Sequence, residues 1–293
     1  MKNIYVVGSI NTDLVINAPY MPKAGETLTG NGFFIAHGGK GANQAVASAR
    51  LGGKVIMCGC VGNDTFGKEA IDSLKAENID VSHIRIVDSA HTGTAVIIVA
   101  NGDNRIILDQ GANAQLTKKD IDLTLQNANE GDIYLTQLEN PIDIIGYGLK
   151  RAKEKGMFVI LNPAPANKAI ESYLKYCDLV TPNETETSLF GGRENLLKQV
   201  PTLLVTLGSK GFSIETKDSY KHYDCLKVKA VDTTAAGDTL CGGLSACLSL
   251  SMSLEDSAIF GSKAASIACS KKGAQPSIPT KHEVENYITK KSI

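Results

Sequence analysis

Residues 157–183 read MFVILNPAPANKAIESYLKYCDLVTPN. The apolar run opening MFVILNPAP (157–165) predicts a buried strand, 167–175 has helical spacing, and CDLVTPN (177–183) predicts a second strand. A helix between two buried strands is the crossover of a parallel pair. The same alternation extends in both directions. IYVVGS (4–9), KVIMCGCVG (54–62), DIYLTQL (132–138) and TLLVTLG (202–208) read as strands. Helical patterns occupy 41–52, closed by glycines, and 64–79, opened by Asp64 at an N-cap position. They recur at 141–155 and, in the last third, at 235–250, 253–271 and 280–291. The fold class expected is therefore α/β, a mostly parallel central sheet with helices on both faces.

Two regions break the rhythm. Residues 12–36 carry Gly and Pro punctuation with alternating apolar residues, and 92–109 place two β runs around NGDN (101–104), a hairpin signal. Both are expected to be antiparallel and to build one small accessory sheet, a natural lid for a cleft; the plainer reading is an edge extension of the main sheet. No repeat or linker divides the chain, so residues 1–293 read as a single domain.

Composition narrows the function classes. A net charge of −1 gives no electrostatic reason to expect nucleic acid or an anionic membrane as partner. No segment approaches the ~20 apolar residues of a membrane span, and MKNIYVVGSIN reaches Asp13 too soon for a secretory leader. The seven cysteines lack a CxxC pair, which fits reduced, buried thiols in a cytoplasmic protein better than a metal site.

Five stretches carry candidate chemistry, each with a bland alternative. TTAAGD (233–238), after the β-like YDCLKVKAVD, opens a helix. The small residues Ala235, Ala236 and Gly237 leave its N-terminal amides open to an anion, with Asp238 placed to accept a proton. Asp238 is equally readable as a first-turn acid stabilising the helix. AHGGKGANQA (36–45) puts Lys40 and Asn43 on a glycine-rich turn without P-loop spacing. GSINTDL (8–14) delivers Asn11 and Asp13 at a strand's carboxyl end, a pair suited to a vicinal diol or to an Asx turn. TPNETE (181–186) sets Asn183 and Glu186 three apart, as for a hydrated Mg²⁺ or a capping box. TLGSKG (206–211) offers Thr206, Ser209 and backbone amides to a nucleotide, or is a tight turn between strands.

Taken together and in this order, the stretches resemble the ribokinase-like family of sugar kinases (the phosphofructokinase-B type) along essentially the whole chain. GGKGANQAVASARLGGKVIMCGCVG (38–62) and DTTAAGDTLCGGLS (232–245) match its two signature regions. QLEN (137–140), NPAPA (162–166) and KKGAQPS (271–277) also resemble those of members that act on D-ribose. The resemblance implies ATP-dependent phosphorylation of the sugar's 5-hydroxyl. Asn11, Asp13, Gly39, Lys40, Asn43 and Glu139 fall at sugar-contacting positions. Asn183, Thr206, Ser209 and Gly211 fall at nucleotide-contacting ones, with Ser262 beside the purine where the family often has a larger polar residue. Glu186 matches a position linked indirectly to Mg²⁺ and phosphate. Asp238 matches the catalytic base, and Ala235, Ala236 and Gly237 the anion hole. Asp232, Thr234, Ala268, Lys271, Gly273 and Ser277 match a site for an activating monovalent cation, usually K⁺.

The segment between Glu186 and the strand at 202 is short for the family. The rival substrates are deoxyribose, a nucleoside or another small sugar. A non-catalytic sugar-binding protein on the same fold would be expected to lack Asp238 or Gly237, and both are present. The apolar VIIV (96–99) and FFI (33–35) would leave the accessory sheet with an exposed greasy face, so a homodimer through paired lids is expected, as the family also implies.

Overall fold

The computed structural model describes residues 1–101 and 103–291. The chain opens with strand β1 (Asn3–Val7), crosses into β2 (Asn11–Asn17) and β3 (Asn31–Gly38), then enters helix α1 (Lys40–Arg50). Next come β4 (Lys54–Gly62), α2 (Thr65–Ala76), β5 (Asp80–Val87), β6 (Gly93–Ala100) and β7 (Asp103–Asp109). The middle of the chain contains α3 (Lys118–Thr124), β8 (Ile133–Thr136), α4 (Ile142–Glu154), β9 (Phe158–Leu161) and β10 (Leu179–Val180). After α5 (Glu184–Leu189) and α6 (Arg193–Leu197) follow β11 (Thr202–Thr206), β12 (Phe212–Glu215) and β13 (Tyr220–Tyr223). Helices α7 (Ala236–Ser249), α8 (Leu254–Cys269) and α9 (Lys281–Lys291) close it.

The main sheet has nine strands in the order β13-β12-β11-β10-β9-β8-β1-β4-β5, parallel from β11 to β5 and antiparallel at β12 and β13. Except for the partly exposed edge strand β5, its parallel strands are largely buried on both faces, as their apolar runs require. In β1, Ile4 and Val6 join the core under α1, α7 and α8, while Tyr5 and Val7 join the opposite core under α3 and α4. Strand order reverses at β1: the chain first builds outward through β4 and β5, then returns to pair β8 on the other side. Ligands of open α/β sheets collect beyond the carboxyl ends of the strands at such a reversal. Among the described residues, no helix is long and apolar enough to cross a membrane.

The second sheet is separate from the first, with the order β3-β2-β6-β7. It is not wholly antiparallel as expected. β2–β3 and β6–β7 are antiparallel, but the central pair β2–β6 runs parallel, because the two hairpins arrive from different crossovers. Asp13, Val15, Ala95, Ile97, Ile106 and Leu108 share one face; Leu14, Ile35, Val96 and Ile107 share the other.

Three local expectations need correction. Residues 168–176 form a 3₁₀ helix rather than an α-helix. The rise of ~2.0 Å per residue lets this short crossover reach farther than an α-helix would, and Ile170 and Leu174 still bury at its spacing. YDCLKVKAVD is not a strand: after β13, residues 224–230 run without regular structure. Its Leu/Lys/Val/Lys alternation mimics a strand, but β13 is already the sheet edge and the chain is crossing to α7. Finally, Cys225 and Cys269 are half-buried, although the other five cysteines are buried and all seven are free.

Candidate active site

The residues expected to contact a sugar converge at the carboxyl end of β1. Gly39 caps α1 at φ 88°, and a Cβ there would lie 2.8 Å from the Asn11 nitrogen. At Gly41 it would lie 2.5 Å from the Gly8 carbonyl carbon. The two glycines thus let α1 start directly against the β1–β2 turn, which puts Lys40 and Asn43 in the first turns of a helix rather than on a free turn. Glu139, just past β8, locks this corner: one of its oxygens accepts from Ser9 Oγ (2.5 Å) and from the Lys40 backbone N–H (3.0 Å). Asn11 is a buried residue of β2, not an Asx turn, and its Oδ1 accepts from Asn113 Nδ2 (2.7 Å). Asp13 stands on the same strand and face, two residues on.

The loop that opens α7 is strained. Ala235 adopts left-handed φ 58° as the N-cap of α7, with no side-chain capping bond; such a conformation costs a non-glycine residue of order 1–3 kcal/mol. A Cβ on Gly237 would meet open space, so the first-turn amides of a 14-residue helix face an unobstructed cradle. Asp238 lies in that turn but turns away from the helix's own amides. Its Oδ2 accepts from Asn43 Nδ2 (3.1 Å) and its Oδ1 from Gln44 Nε2 (2.9 Å), both on α1. Asp238 is buried at 6% exposure, and the buried Asn43 Oδ1 has no protein partner, an open acceptor for a ligand hydroxyl.

Electrostatics tie the groups together. Burial pushes the Asp13 carboxyl up to about 7, with Glu139 and Asp238 adding repulsion. Burial opposes charge on Lys40, but Asp238, Glu139 and Glu186 outweigh it and hold its pKa above the ordinary lysine value. One ammonium therefore serves a cluster of carboxylates, an arrangement that leaves the corner net negative and tolerates further positive charge.

A cavity of about 200 Å³ is lined by Lys40, Asn183, Glu186, Thr206, Ala235, Ala236, Gly237 and Asp238. Asn183 and Glu186 form a complete capping box on α5: Asn183 Oδ1 accepts from Glu186 N and Glu186 Oε2 from Asn183 N, each at 2.8 Å. The box does not exclude a ligand role, since both side chains also line the cavity. Burial raises the Glu186 pKa; Asn183's N–H and Lys40 pull the other way. Ser209 and Gly211 (φ 97°) form the turn between β11 and antiparallel β12, and Ser262 is buried within α8; none of the three lines this cavity. The short segment after Glu186 folds as α5 and the five-residue α6.

Beneath the α7 loop, Asp232 is a fastening point. Its Oδ1 accepts from the Thr234 N–H (2.9 Å) and hydroxyl (2.6 Å), its Oδ2 from the Gly273 N–H (2.9 Å). Burial works against its charge, but those donors hold its pKa below the usual aspartate range. Val231 and Asp232 donate backbone N–H groups to the Cys269 carbonyl. The Ala268 carbonyl accepts from Lys271 N, the Lys271 ammonium pairs with Glu283, and the hydroxyl of fully buried Ser277 donates to the Ala274 carbonyl, which leaves its oxygen lone pairs available. An ionised carboxylate, a buried hydroxyl and nearby carbonyls are the oxygen donors a hard monovalent cation takes.

Several residues here were not anticipated. Gln44 is fully buried against Asp238, and Gln137, Asn162 and Thr181 stand behind it. The available signal was positional: Gln137, Asn162 and Thr181 are the first residues past β8, β9 and β10.

An open helix N-terminus beside a buried carboxylate, facing a carboxylate-lined corner that suits hydroxyl groups, has the parts for transfer of an anionic group to an alcohol. Residues 1–281 match the pfkB family of carbohydrate kinases. A ribokinase of Haemophilus influenzae is 41% identical over 301 residues, covering 98% of this chain and 98% of that protein. A deoxyribokinase of Salmonella typhi is 34% identical, covering 98% and 99%. The crystal structure of ribokinase from Thermotoga maritima superposes with a TM-score of 0.89 at 38% identity, covering 99% of this chain and 100% of that one. The structure of Arabidopsis thaliana ribokinase complexed with ribose and ATP gives 0.85 at 31% identity, covering 97% and 98%. The chain belongs to the pfkB family of carbohydrate kinases.

Proposed function

We propose that the protein transfers the γ-phosphoryl group of ATP to the 5-hydroxyl of D-ribose, giving ribose 5-phosphate and ADP. The observation that carries this reading is Asp238, a buried carboxylate at the open N-terminus of α7 and held by Asn43 and Gln44 of α1. Asn11, Asp13, Asn43 and Glu139 bind the sugar hydroxyls, with Gly39 and Lys40 shaping the corner. Asp238 removes the proton of the 5-hydroxyl as that oxygen bonds to the γ-phosphorus and the bond to the β–γ bridging oxygen breaks. The amides of Ala235, Ala236 and Gly237 meet the charge on the transferring group. Asn183, Thr206, Ser209, Gly211 and Ser262 form the nucleotide side. Glu186, through water, is the residue that suits Mg²⁺, which supplies charge neutralisation on the phosphates when bound. Asp232, Thr234, Ala268, Lys271, Gly273 and Ser277 hold a K⁺ beneath the α7 loop. The whole chain works as one unit, in the cytoplasm, as a homodimer through the β3-β2-β6-β7 sheets.

Deoxyribose is the second reading, favoured by the Salmonella relative. The neighbouring Asn11 and Asp13 favour a sugar with a vicinal diol. A coupled ADP-release assay over ribose, 2-deoxyribose, nucleosides and fructose tests this: ribose is expected to give the highest kcat/KM. A higher value for 2-deoxyribose would move the assignment to the second reading, and one for a nucleoside would overturn both.

A further inference from the structure

Behind Asp238 runs a directional chain of buried amides. The Asp238 carboxylate only accepts, so the Gln44 amide must present its nitrogen; Nε2 donates to Asp238 Oδ1 (2.9 Å) and to Asn162 Oδ1 (3.2 Å). That orientation sends Gln44 Oε1 backward, where Gln137 Nε2 donates to it (2.6 Å). Asn162 in turn donates through Nδ2 to the Thr181 carbonyl (3.1 Å) and hydroxyl (3.3 Å). Gln44, Gln137, Asn162 and Thr181 are all at most 8% exposed. The chain is thus anchored on three adjacent strands of the rigid parallel sheet, and Gly8, whose Cβ would fall 2.2 Å from Gln137 Oε1, leaves it room.

We propose that Gln44, backed by Gln137 and Asn162, is a positioning residue for phosphoryl transfer: it fixes the Asp238 carboxylate in one rotamer, so that an oxygen is turned to the acceptor hydroxyl. The proposal rests on the reading of Asp238 as the base. Two donors from one helix, one on each carboxylate oxygen, leave Asp238 no freedom about its χ2 axis. Asn43 also faces the sugar, but Gln44 has both amide ends engaged by protein and none to spare for substrate. Loss of its donor therefore moves the chemical step and leaves sugar affinity alone. The readout is therefore the split between kcat and the ribose KM at saturating ATP, which a general loosening of the fold would not give.

Gln44→Met keeps the shape and removes the donor. The expected result is a fall in kcat of about 10- to 100-fold with a ribose KM within ~2-fold of the parent enzyme. Gln44→Glu, nearly isosteric, replaces the donor with a second acceptor against Asp238 and is expected to lower kcat at least as far. A folded Gln44→Met enzyme with parental kcat, or with KM raised as far as kcat falls, beside an inactive Asp238→Asn enzyme, overturns the proposal alone. If Gln44→Met does not fold, parental kcat in Gln44→Glu overturns it. Parental kcat in Asp238→Asn would instead overturn the underlying reading of the base.

Discussion

At Asp13 the role proposed in sugar binding opposes the needs of the fold. Burial, with Glu139 and Asp238 nearby, raises its pKa to about 7, above the ordinary 3.8. The native state therefore holds a proton that the unfolded chain has released, and this residue's contribution to stability falls as pH rises from about 4 to about 7. Asp13→Asn removes the penalty: the melting temperature at pH 8 should rise by a few degrees, while ribose affinity drops and loses its increase through pH 7. Calorimetry and isothermal titration across pH check both. Asp238→Asn is the complementary case, expected to bind ribose and ATP but lose ~10²–10⁴ in kcat; near-parental turnover would contradict its role. Asp238, Asn43 and Lys40 were legible because they sit in glycine-rich stretches where small neighbours advertise a close approach. Gln44 lies in the same stretch yet gave no signal, since an amide's partners come from α7 and from strands far along the chain.

The elements that present these residues are set by packing as much as by local preference. α7 carries Asp238 and crosses α1 and α8 at glycines. A Cβ on Gly243 would lie 2.9 Å from the Gly261 Cα, and one on Gly261 2.6 Å from the Leu240 carbonyl oxygen. Gly261→Ala should therefore push α7 and α8 apart, at a cost of about 1–3 kcal/mol, and lower kcat by moving the α7 N-terminus; denaturant melts with steady-state kinetics would show both. An alanine enzyme of parental stability would mean the crossing is looser than its geometry. The long elements were readable from periodicity: β4, α2, α4, α7 and α8 fall where apolar spacing puts them. The misreadings all occur where tertiary context decides. The 168–176 crossover is stretched into a 3₁₀ helix, 224–230 alternate like a strand beyond the sheet edge, and the parallel β2–β6 pair joins two hairpins that are far apart in sequence.

Across the whole molecule, the second sheet is apolar on both faces. Phe33, Phe34, Ile35, Ile106, Ile107 and Leu108 are all exposed. Exposed apolar residues on both faces invite a partner, and a second copy clasped around the sheet would cover them. Light scattering should give twice the monomer mass, and Phe34→Asp with Ile107→Asp should give a monomer; a parental chain at monomer mass would refute the dimer. The proposed cation site makes a prediction independent of turnover. K⁺, but not Na⁺, should raise the melting temperature, because a ligand bound only by the native state adds RT ln(1 + [L]/Kd), and Asp232→Ala should abolish the difference. Equal melting in both salts would remove K⁺ from the account. The central claim, phosphoryl transfer from ATP to the 5-hydroxyl of ribose, is tested most directly by phosphorus–proton correlation NMR of the product formed from Mg-ATP and D-ribose. The account predicts a new phosphomonoester whose phosphorus couples to the two C5 protons. A phosphorus coupled elsewhere on the sugar, or no phosphorylated pentose, would contradict it.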